Sequence, residues 1–361
     1  MIILVTGGCG FIGSNFIKLA LQEKEDARII NVDKLTYAGN LANLLDQERD
    51  FPDRYRLIKG DIADRDLVQD VFEKWAPDWV AHFAAESHVD RSIMAPEDFI
   101  RTNINGTYNL LEASRTHWPL KDARAMAGKR FLHISTDEVY GSLGESGYFT
   151  EDSPYDPSSP YSASKAASDH LAAAYLRTYG LPVSITNSSN NYGPYQFPEK
   201  LIPLIIVNAW KGLELPVYGD GRNVRDWIFV GDHCRALLLV LEKGRPGERY
   251  NIGGNCEKEN IEVVRTICDL LDQRLGLTGG RPRRDLITFV SDRPGHDRRY
   301  AMDTSKIKEA LAWEPLVSFE EGIAITIDWL LKNTAWVEDI LNGAYRDYYK
   351  QQYGESVNGH P

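Results

Sequence analysis

Two neighbouring carboxylates and a hydroxyl follow an apolar run in HISTDEVYG, residues 133–141. Thr136, Asp137 and Glu138 stand where the pattern predicts the end of a buried strand. Adjacent carboxylates in different environments can act as general acid and general base, because burial and mutual repulsion separate their pKa values. These residues are therefore candidates for catalysis. The structural alternative is a pair of carboxylates that cap a helix or bind a lysine.

A tyrosine and a lysine lie one helical turn apart in SPYSASKAASDHLAAAY, residues 159–175. A helix places Tyr161 and Lys165, at i and i+4, on one face, and Pro160 suits its first turn. A lysine charge can lower the pKa of a tyrosine, which can then take a proton from a substrate alcohol as hydride leaves. The pattern is common by chance, but here it follows a glycine-rich first strand and STDEVYG.

A glycine-rich turn, TGGCGFIG, connects the first predicted strand to a helix. Gly8, Gly10 and Gly13 fit GxGxxG, and Gly7 extends the match to the wider GxxGxxG spacing. Such glycines let a pyrophosphate approach the backbone at a helix N-terminus. Asp33, at the end of the second strand, can accept hydrogen bonds from ribose hydroxyls and would repel a 2′-phosphate. The segment therefore predicts a dinucleotide site that favours NAD over NADP.

Short β-branched runs alternate with helical stretches through the first two-thirds of the chain. This alternation predicts parallel strands with right-handed crossovers, hence an α/β Rossmann-type doubly wound sheet. Helices are expected over 14–24, 64–75, 98–117 and 162–178. The predicted strands are IILVTG (2–7), RIINVDKL (28–35), RLIKGDI (56–62), WVAHFAA (79–85), RFLHIST (130–136) and PVSITNSS (182–189).

The sequence pattern changes near residue 190, where turns rich in Gly, Pro and Asn appear. Residues 227–252 return to strand–helix–strand character, so we assign them, with 1–189, to the dinucleotide domain. Residues 190–226 plus 253–340 are expected to form a smaller mixed α/β lobe over the carboxyl ends of the strands. The tail ESVNGHP, residues 355–361, is expected to be disordered.

Composition narrows the class of protein. The net charge of −11, from 41 basic and 52 acidic residues, argues against non-specific nucleic-acid binding and against a basic membrane-surface protein. Four cysteines form no CxxC pair and no metal-binding spacing with histidine, which predicts reduced thiols and no metal site. No signal peptide or long apolar run is recognised, so we expect a cytoplasmic protein with no membrane partner.

Together, TGGCGFIG, Asp33, STDEVYG and YSASK resemble the extended short-chain dehydrogenase/reductase family. Further segments are similar to the members of that family that dehydrate the nucleotide sugar dTDP-glucose. With STDEVYG, the motifs reach from the first residues to about residue 340. The further segments are DKLTYAGN (33–40), FAAESHVDRS (83–92), NNYGPYQFPEKLIP (190–203), RNVRDW (222–227) and DRPGHDRRYA (292–301).

The resemblance implies a hydro-lyase reaction with a tightly bound NAD that is regenerated in each turnover. Hydride leaves C4 of the glucose ring, water is eliminated across C5 and C6, and hydride returns to C6 to give dTDP-4-keto-6-deoxy-glucose. By resemblance Asp137 is the acid at the C6 oxygen, Glu138 the base at C5, and Thr136 a hydrogen-bonding group near the C4 oxygen and Tyr161. Spacing alone does not decide which of these two carboxyl groups is the general acid and which is the general base.

The resemblance also implies binding residues. Arginine guanidinium groups, as in Arg225 and Arg293, suit phosphate oxygens, and Asp61 is placed at the adenine edge by topology alone. The expected cofactor residues are Gly7, Gly10, Phe11, Ile12, Gly13, Asp33, Lys34, Leu35, Thr36, Asp61, Ile62, Ala84, Thr102, Tyr161, Lys165 and Asn191. The expected substrate residues are Ser87, Thr136, Asn190, Glu199, Lys200, Leu201, Pro216, Tyr218, Arg225, Asn260, Arg293 and His296.

A homodimer is expected through the helices near 98–117 and 162–178, which carry more apolar residues than one buried face needs; packing within one chain is the alternative. Two rival functions stay open at this stage. One is another nucleotide-hexose enzyme of the same fold, either a 4-epimerase or a dehydratase for a different nucleotide. The other is a non-catalytic NAD-binding sensor. The downstream pathway, to rhamnose or to another deoxysugar, is also open.

Overall fold

The structure, a computed structural model, describes residues 1–292 and 296–342, with the side chain of residue 342 left aside. The expected tail therefore lies outside the described residues. The strands of the described part are β1 (Ile2–Thr6), β2 (Arg28–Asp33), β3 (Tyr55–Lys59), β4 (Trp79–His82), β5 (Arg130–Thr136), β6 (Val183–Ser188), β7 (Asn190–Tyr192), β8 (Leu215–Tyr218), β9 (Val224–Phe229), β10 (Arg249–Ile252), β11 (Glu257–Glu259) and β12 (Ile287–Val290).

Helices connect most of these strands. A π-helical segment, Ile100–Gly106, interrupts the helix expected over 98–117, and 3₁₀ turns cover Leu41–Asn43, Asp137–Tyr140 and Arg283–Leu286. The α-helices are α1 (Phe11–Glu23), α2 (Leu45–Asp50), α3 (Arg65–Trp75), α4 (Val89–Met94), α5 (Pro96–Phe99), α6 (Thr107–His117), α7 (Ala123–Met126), α8 (Pro160–Tyr179), α9 (Leu201–Lys211), α10 (Val230–Lys243), α11 (Asn260–Leu275), α12 (Ser305–Leu311), α13 (Phe319–Lys332) and α14 (Thr334–Asn342).

Seven parallel strands form the central sheet in the order β10-β6-β5-β4-β1-β2-β3, which confirms the Rossmann-type fold class. Helices cover both faces, so strand side chains are buried on alternate sides. Ile3 and Val5 pack in the core that includes α1 and α10. Leu4 and Val32 pack on the opposite face against α3 and α6.

One assigned strand lies elsewhere. The WIFVGD segment, predicted to rejoin the dinucleotide domain, ends β9, which pairs with β7 and β11 in a separate three-stranded sheet. The parts of the 227–252 stretch that rejoin the large sheet and its core are α10 and β10, although Ile228 of β9 also packs in that core. The reason is tertiary, because Trp227 buries its side chain among the apolar residues of α9, α11 and α13.

Local signals explain why α8 begins and ends as it does. Ser159 accepts a hydrogen bond from the Ser162 amide, and the Ser162 hydroxyl accepts one from the Ser159 amide, which completes a capping box before Pro160. Gly180, at φ +72°, takes the left-handed conformation that ends the helix. This helix carries Tyr161 and Lys165. In the described part of the chain, no helix is long and apolar enough to cross a membrane.

Gly322 of α13 generates a stability prediction. A Cβ there would lie 2.2 Å from Tyr192 Oη, and Tyr192 is fully buried. We expect Gly322→Ala to lower the free energy of unfolding by about 1–3 kcal/mol, because overpacking outweighs the gain in helix propensity. Urea denaturation measures this. Gly128→Ala is the control, since nothing lies within 4 Å of its added methyl group; equal midpoints for the two variants would contradict the prediction.

Candidate active site

A cleft of about 320 Å³ opens at the carboxyl ends of the parallel strands, where the strand order reverses between β1 and β4. Ligands of doubly wound proteins bind at such a switch point. The cleft brings together most of the residues predicted from the sequence. Those that line it are Gly7, Gly10, Phe11, Ile12, Gly13, Asp33, Lys34, Thr36, Asp61, Ile62, Ala84, Ser87, Thr102, Thr136, Asp137, Glu138, Tyr161, Lys165, Asn190, Asn191, Glu199 and Lys200.

The glycine-rich turn leaves space that side chains would fill. Gly7 has φ +72°, and a Cβ there would lie 2.7 Å from the backbone of Ala84. A Cβ on Gly13 would lie 2.4 Å from the Gly7 carbonyl oxygen. Gly10 is the N-cap of α1, so the free amides at the start of this helix face the cleft. The turn therefore fits a dinucleotide pyrophosphate.

Asp33 and Asp61 stand at the ends of two neighbouring strands. The Asp33 carboxylate accepts hydrogen bonds from the amides of Cys9 and Leu35, each at 2.8 Å, which leaves further acceptor capacity for a ribose diol. Burial raises the pKa of Asp33, and these two bonds oppose the rise. Asp61 accepts hydrogen bonds from Lys34 at 3.0 Å and Arg101 at 2.9 Å. Leu35 itself does not line the cleft.

The candidate acids follow β5 directly. Thr136 Oγ1 donates to Asp137 Oδ1 at 3.2 Å and accepts from the Glu138 amide at 3.3 Å. Asp137 is 2% exposed, and its Oδ2 is a buried acceptor without a partner in the described part of the chain. Burial raises the pKa of Asp137 well above its usual value, and the charges of Glu138 and Asp226 raise it further. Burial and two acidic neighbours therefore favour the protonated form of Asp137.

Tyr161 and Lys165 project into the cleft from α8. Lys165 Nζ donates to the carbonyl of Ile134 at 2.8 Å, and burial lowers the pKa of Lys165 to about 8. The expected depression of the tyrosine pKa is wrong for this arrangement. Burial raises the pKa of Tyr161, the charge of Glu138 adds to the rise, and only the Thr136 hydrogen bond opposes it.

Some predicted residues do not line the cleft, and Arg293 lies outside the described residues. Arg225 is buried, donates to the carbonyls of Val224, Asp297 and Arg298, and stacks at 4.3 Å on Tyr300. The remaining residues of this kind are Leu201 at the start of α9, Pro216 and Tyr218 on β8, Asn260 at the start of α11, and His296, whose Nδ1 lies 2.6 Å from Asp292 Oδ1.

Other residues line the cleft that sequence reasoning did not select. Glu86 is one, and burial raises the pKa of its carboxyl group. It stands in AAESHVD directly after a predicted strand, which was a usable signal. Gln196 and Phe197 also line the cleft; both lie within NNYGPYQFPEKLIP, and that motif was the available signal. No group of three His, Cys, Asp or Glu side chains within the described residues could hold a metal ion.

Comparison with known proteins identifies the family. The model of the GDP-mannose 4,6-dehydratase family matches residues 4–326. A dTDP-glucose 4,6-dehydratase of Xanthomonas campestris pv. campestris is 59% identical over 344 residues, covering 95% of this chain and 97% of the relative. The chain belongs to the dTDP-glucose 4,6-dehydratase family.

Solved structures of the dTDP-glucose 4,6-dehydratase family share this fold. The enzyme of Streptomyces venezuelae, with NAD bound, has a TM-score of 0.85 and 46% identity, covering 94% of this chain and 100% of that one. The enzyme of Bacillus anthracis, also in complex with NAD, has a TM-score of 0.82 and 47% identity, covering 94% and 99%. The glycine-rich turn and Asp33 of this chain are thus set in a fold that holds NAD in both relatives.

Gly13→Ala tests the dinucleotide site. We expect the dinucleotide content of the purified variant to be lower than that of the wild type by a factor of about ten or more. The reason is that the new methyl group would clash with the backbone that shapes the pyrophosphate turn. Chromatography of nucleotide released by heat denaturation measures the amount bound. Gly128→Ala is the control, and a thermal melt checks folding. Wild-type dinucleotide content in folded Gly13→Ala would refute the assignment.

Proposed function

We propose that the chain is a hydro-lyase that converts dTDP-glucose to dTDP-4-keto-6-deoxy-glucose with NAD. The observation that carries the proposal is the buried Asp137, whose pKa is raised, beside Glu138 and in the same cleft as Tyr161 and Lys165. A dehydrogenase needs the tyrosine, the lysine and a hydroxyl. Elimination of water adds a need for a general acid and a general base, and Asp137 and Glu138 supply two adjacent carboxyl groups in this cleft.

Each residue then has a defined task. Bound NAD takes the C4 hydride and later returns it to C6. Tyr161 takes the proton of the C4 hydroxyl group in its ionised form, with Thr136 hydrogen-bonded near the same oxygen. Burial, which raises the pKa of Tyr161, makes this form scarcer and more basic. The 4-ketone acidifies the C5 proton, which Glu138 removes. Asp137 protonates the C6 hydroxyl group, so that water leaves.

The chemistry closes without net loss or gain of protons on the protein. The water that leaves is the C6 hydroxyl group plus the proton given by Asp137, while the C5 proton stays on Glu138. Glu138 returns that proton to C5 as hydride returns to C6, and the proton that Tyr161 took from the C4 hydroxyl group replaces, through solvent, the one that Asp137 lost. Burial suits Asp137 to the donor role, because a raised pKa keeps the proton on its carboxyl group up to a higher pH.

Residue roles outside the acids are also part of the proposal. Gly7, Gly10, Gly13 and Asp33 hold NAD, and Ser87, Asn190, Glu199 and Lys200 line the substrate side. The buried Oδ1 atoms of Asn190 and Asn191 have no hydrogen-bond partner in the described part of the chain, which suits them to ligand hydroxyl or amide groups. Arg225, Asn260, Arg293, His296, Leu201, Pro216 and Tyr218 remain candidates for the nucleotide.

We further propose a homodimer through α6, the π-helical segment and α8. Leu110, Leu111 and Tyr175, whose apolar character suggested the interface, are buried within one chain. Support comes instead from Ile100, Tyr108, Tyr179 and Ala174 on the same helices, which are exposed. A cytoplasmic location and a place in deoxysugar synthesis, such as that of rhamnose, complete the proposal.

Product analysis tests the reaction. Incubation of the purified chain with dTDP-glucose, UDP-glucose and GDP-mannose should give a 4-keto-6-deoxy sugar from dTDP-glucose at the highest kcat/KM. Mass spectrometry detects dehydration as a loss of about 18 mass units, which corresponds to one water per sugar. Inversion at C4 without loss of water would favour the epimerase reading, and bound dinucleotide with no turnover of any sugar would favour a sensor.

The paired variants Glu138→Gln and Asp137→Asn separate the two acids. Glu138→Gln should still oxidise C4 but exchange the C5 proton with solvent deuterium roughly 10²-fold or more slowly. Asp137→Asn should retain C5 exchange and lose water release by a similar factor, since the amide cannot supply the proton. NMR follows exchange and product formation together. If both variants slowed the same step alone, the division of roles would be wrong.

A further inference from the structure

A second buried carboxylate lies behind the catalytic lysine. Asp169 is on α8, one turn after Lys165 and two turns after Tyr161, and it is 0% exposed. Its Oδ2 accepts hydrogen bonds from Ser135 Oγ at 2.9 Å and from Tyr155 Oη at 2.6 Å. These donors come from the end of β5 and from the loop before α8. A buried carboxylate with such partners stays ionised.

The same carboxylate is linked to the strand ends that carry the acids. Asp169 Oδ1 lies 3.0 Å from Nε2 of His133 on β5. Asn187 on β6 points its Nδ2 at Asp169 Oδ2, at 3.5 Å, and donates to the carbonyl of Thr136 at 2.9 Å. Asp169 therefore connects α8, which carries Tyr161 and Lys165, to the strand end that carries Asp137.

The charges around Lys165 make Asp169 its main electrostatic support. Burial lowers the pKa of Lys165 to about 8, and Asp169 is the one group that opposes the decrease. Burial would raise the pKa of Asp169, but the hydrogen bond and charge of His133, the charge of Lys165 and the Tyr155 hydroxyl outweigh it and lower that pKa. The lysine charge thus depends on a neighbouring carboxylate that remains negative.

Groups from every neighbouring element face this pair. Burial lowers the pKa of His82 on β4 and of His133 on β5, and the hydrogen bond and charge of Asp169 oppose the decrease at His133. The remaining titratable and charged groups near the pair are Tyr140 of the 3₁₀ turn, Tyr155 of the following loop, Arg249 of β10 at 4.7 Å over the Tyr155 ring, and the cleft groups Asp137, Glu138 and Tyr161.

We propose that Asp169 is a positioning residue for Lys165: its buried charge, held by donors from β5, β6 and the Tyr155 loop, keeps the lysine ammonium charged and in place beside Tyr161. Its effect on turnover rests on the proposed function, whereas its effect on the lysine charge does not. Asp169→Asn is the sharpest variant, because the amide has the same shape but no charge.

The lysine charge is read directly by NMR of the intact protein with its bound cofactor and with ¹³Cε-labelled lysine. Lys165→Arg assigns the resonance. In the wild type the Lys165 signal should titrate near pH 8, and in Asp169→Asn its midpoint should fall by about one pH unit. Tyr155→Phe and Ser135→Ala keep the carboxylate and serve as controls, with midpoints expected near the wild-type value. An unchanged midpoint in folded Asp169→Asn would overturn the proposal, whatever sugar the enzyme uses.

The pH profile of turnover on dTDP-glucose is the second readout. A lysine is charged below its pKa, so activity that needs the charge is lost as the pH rises through that value. The alkaline limb of kcat should therefore move to lower pH in Asp169→Asn, while a purely structural role would scale kcat equally at every pH. Absence of wild-type turnover would count against the proposed function alone, because the NMR titration still tests Asp169.

Asp169→Glu keeps the inference testable if the asparagine variant does not fold. The longer side chain retains the charge but cannot keep its carboxylate at the same position relative to Ser135 and Tyr155. We expect the Lys165 midpoint to stay near pH 8 and kcat to fall at least about fivefold, since placement is lost while charge is kept. Full kcat in Asp169→Glu would refute the positioning role.

Discussion

All seven strands of the central sheet run in one direction, so they all end at one edge, and every group of the candidate site depends on that edge. Parallel pairing brings the glycine-rich turn after β1, Asp33 at the end of β2 and Asp137 after β5 into one cleft. Residues far apart in the chain thereby become neighbours without any long-range motif. The helices on both faces then hold the edge rigid, because strands buried on two sides cannot shift register without exposing apolar side chains.

Burial is the second constraint, and it acts differently on each ionisable group. Burial raises the pKa of Asp137, whose neighbours Glu138 and Asp226 are also acidic, and so favours the protonated form of this group. Burial by itself would also raise the pKa of Asp169, but the donors and positive charge around that carboxylate lower it. The partners of Asp137 thus favour its protonated form, whereas those of Asp169 favour its charged form.

Asp137 and Glu138 are the groups that the proposed elimination adds to a dehydrogenase framework. The tyrosine, the lysine and the dinucleotide turn are the parts that oxidation requires, and family relatives with NAD bound share their fold. Proton delivery to a leaving hydroxyl group requires an acid that is still protonated at neutral pH. The short 3₁₀ turn after β5 makes room for it, because it presents Asp137 and Glu138 in succession on the cleft wall.

Local sequence determined much of the fold and of the candidate site. Strand–helix alternation specifies the parallel sheet, glycine spacing specifies the turn, and the i, i+4 spacing of Tyr161 and Lys165 specifies their shared face, because each is a short-range steric or periodic property. The tertiary structure alone decided the rest. It assigned β9 to the small sheet through the burial of Trp227, raised rather than lowered the pKa of Tyr161, and surrounded Asp169 with donors from three elements. Desolvation and long-range pairing depend on which segments meet in space, and a sequence pattern does not contain that information.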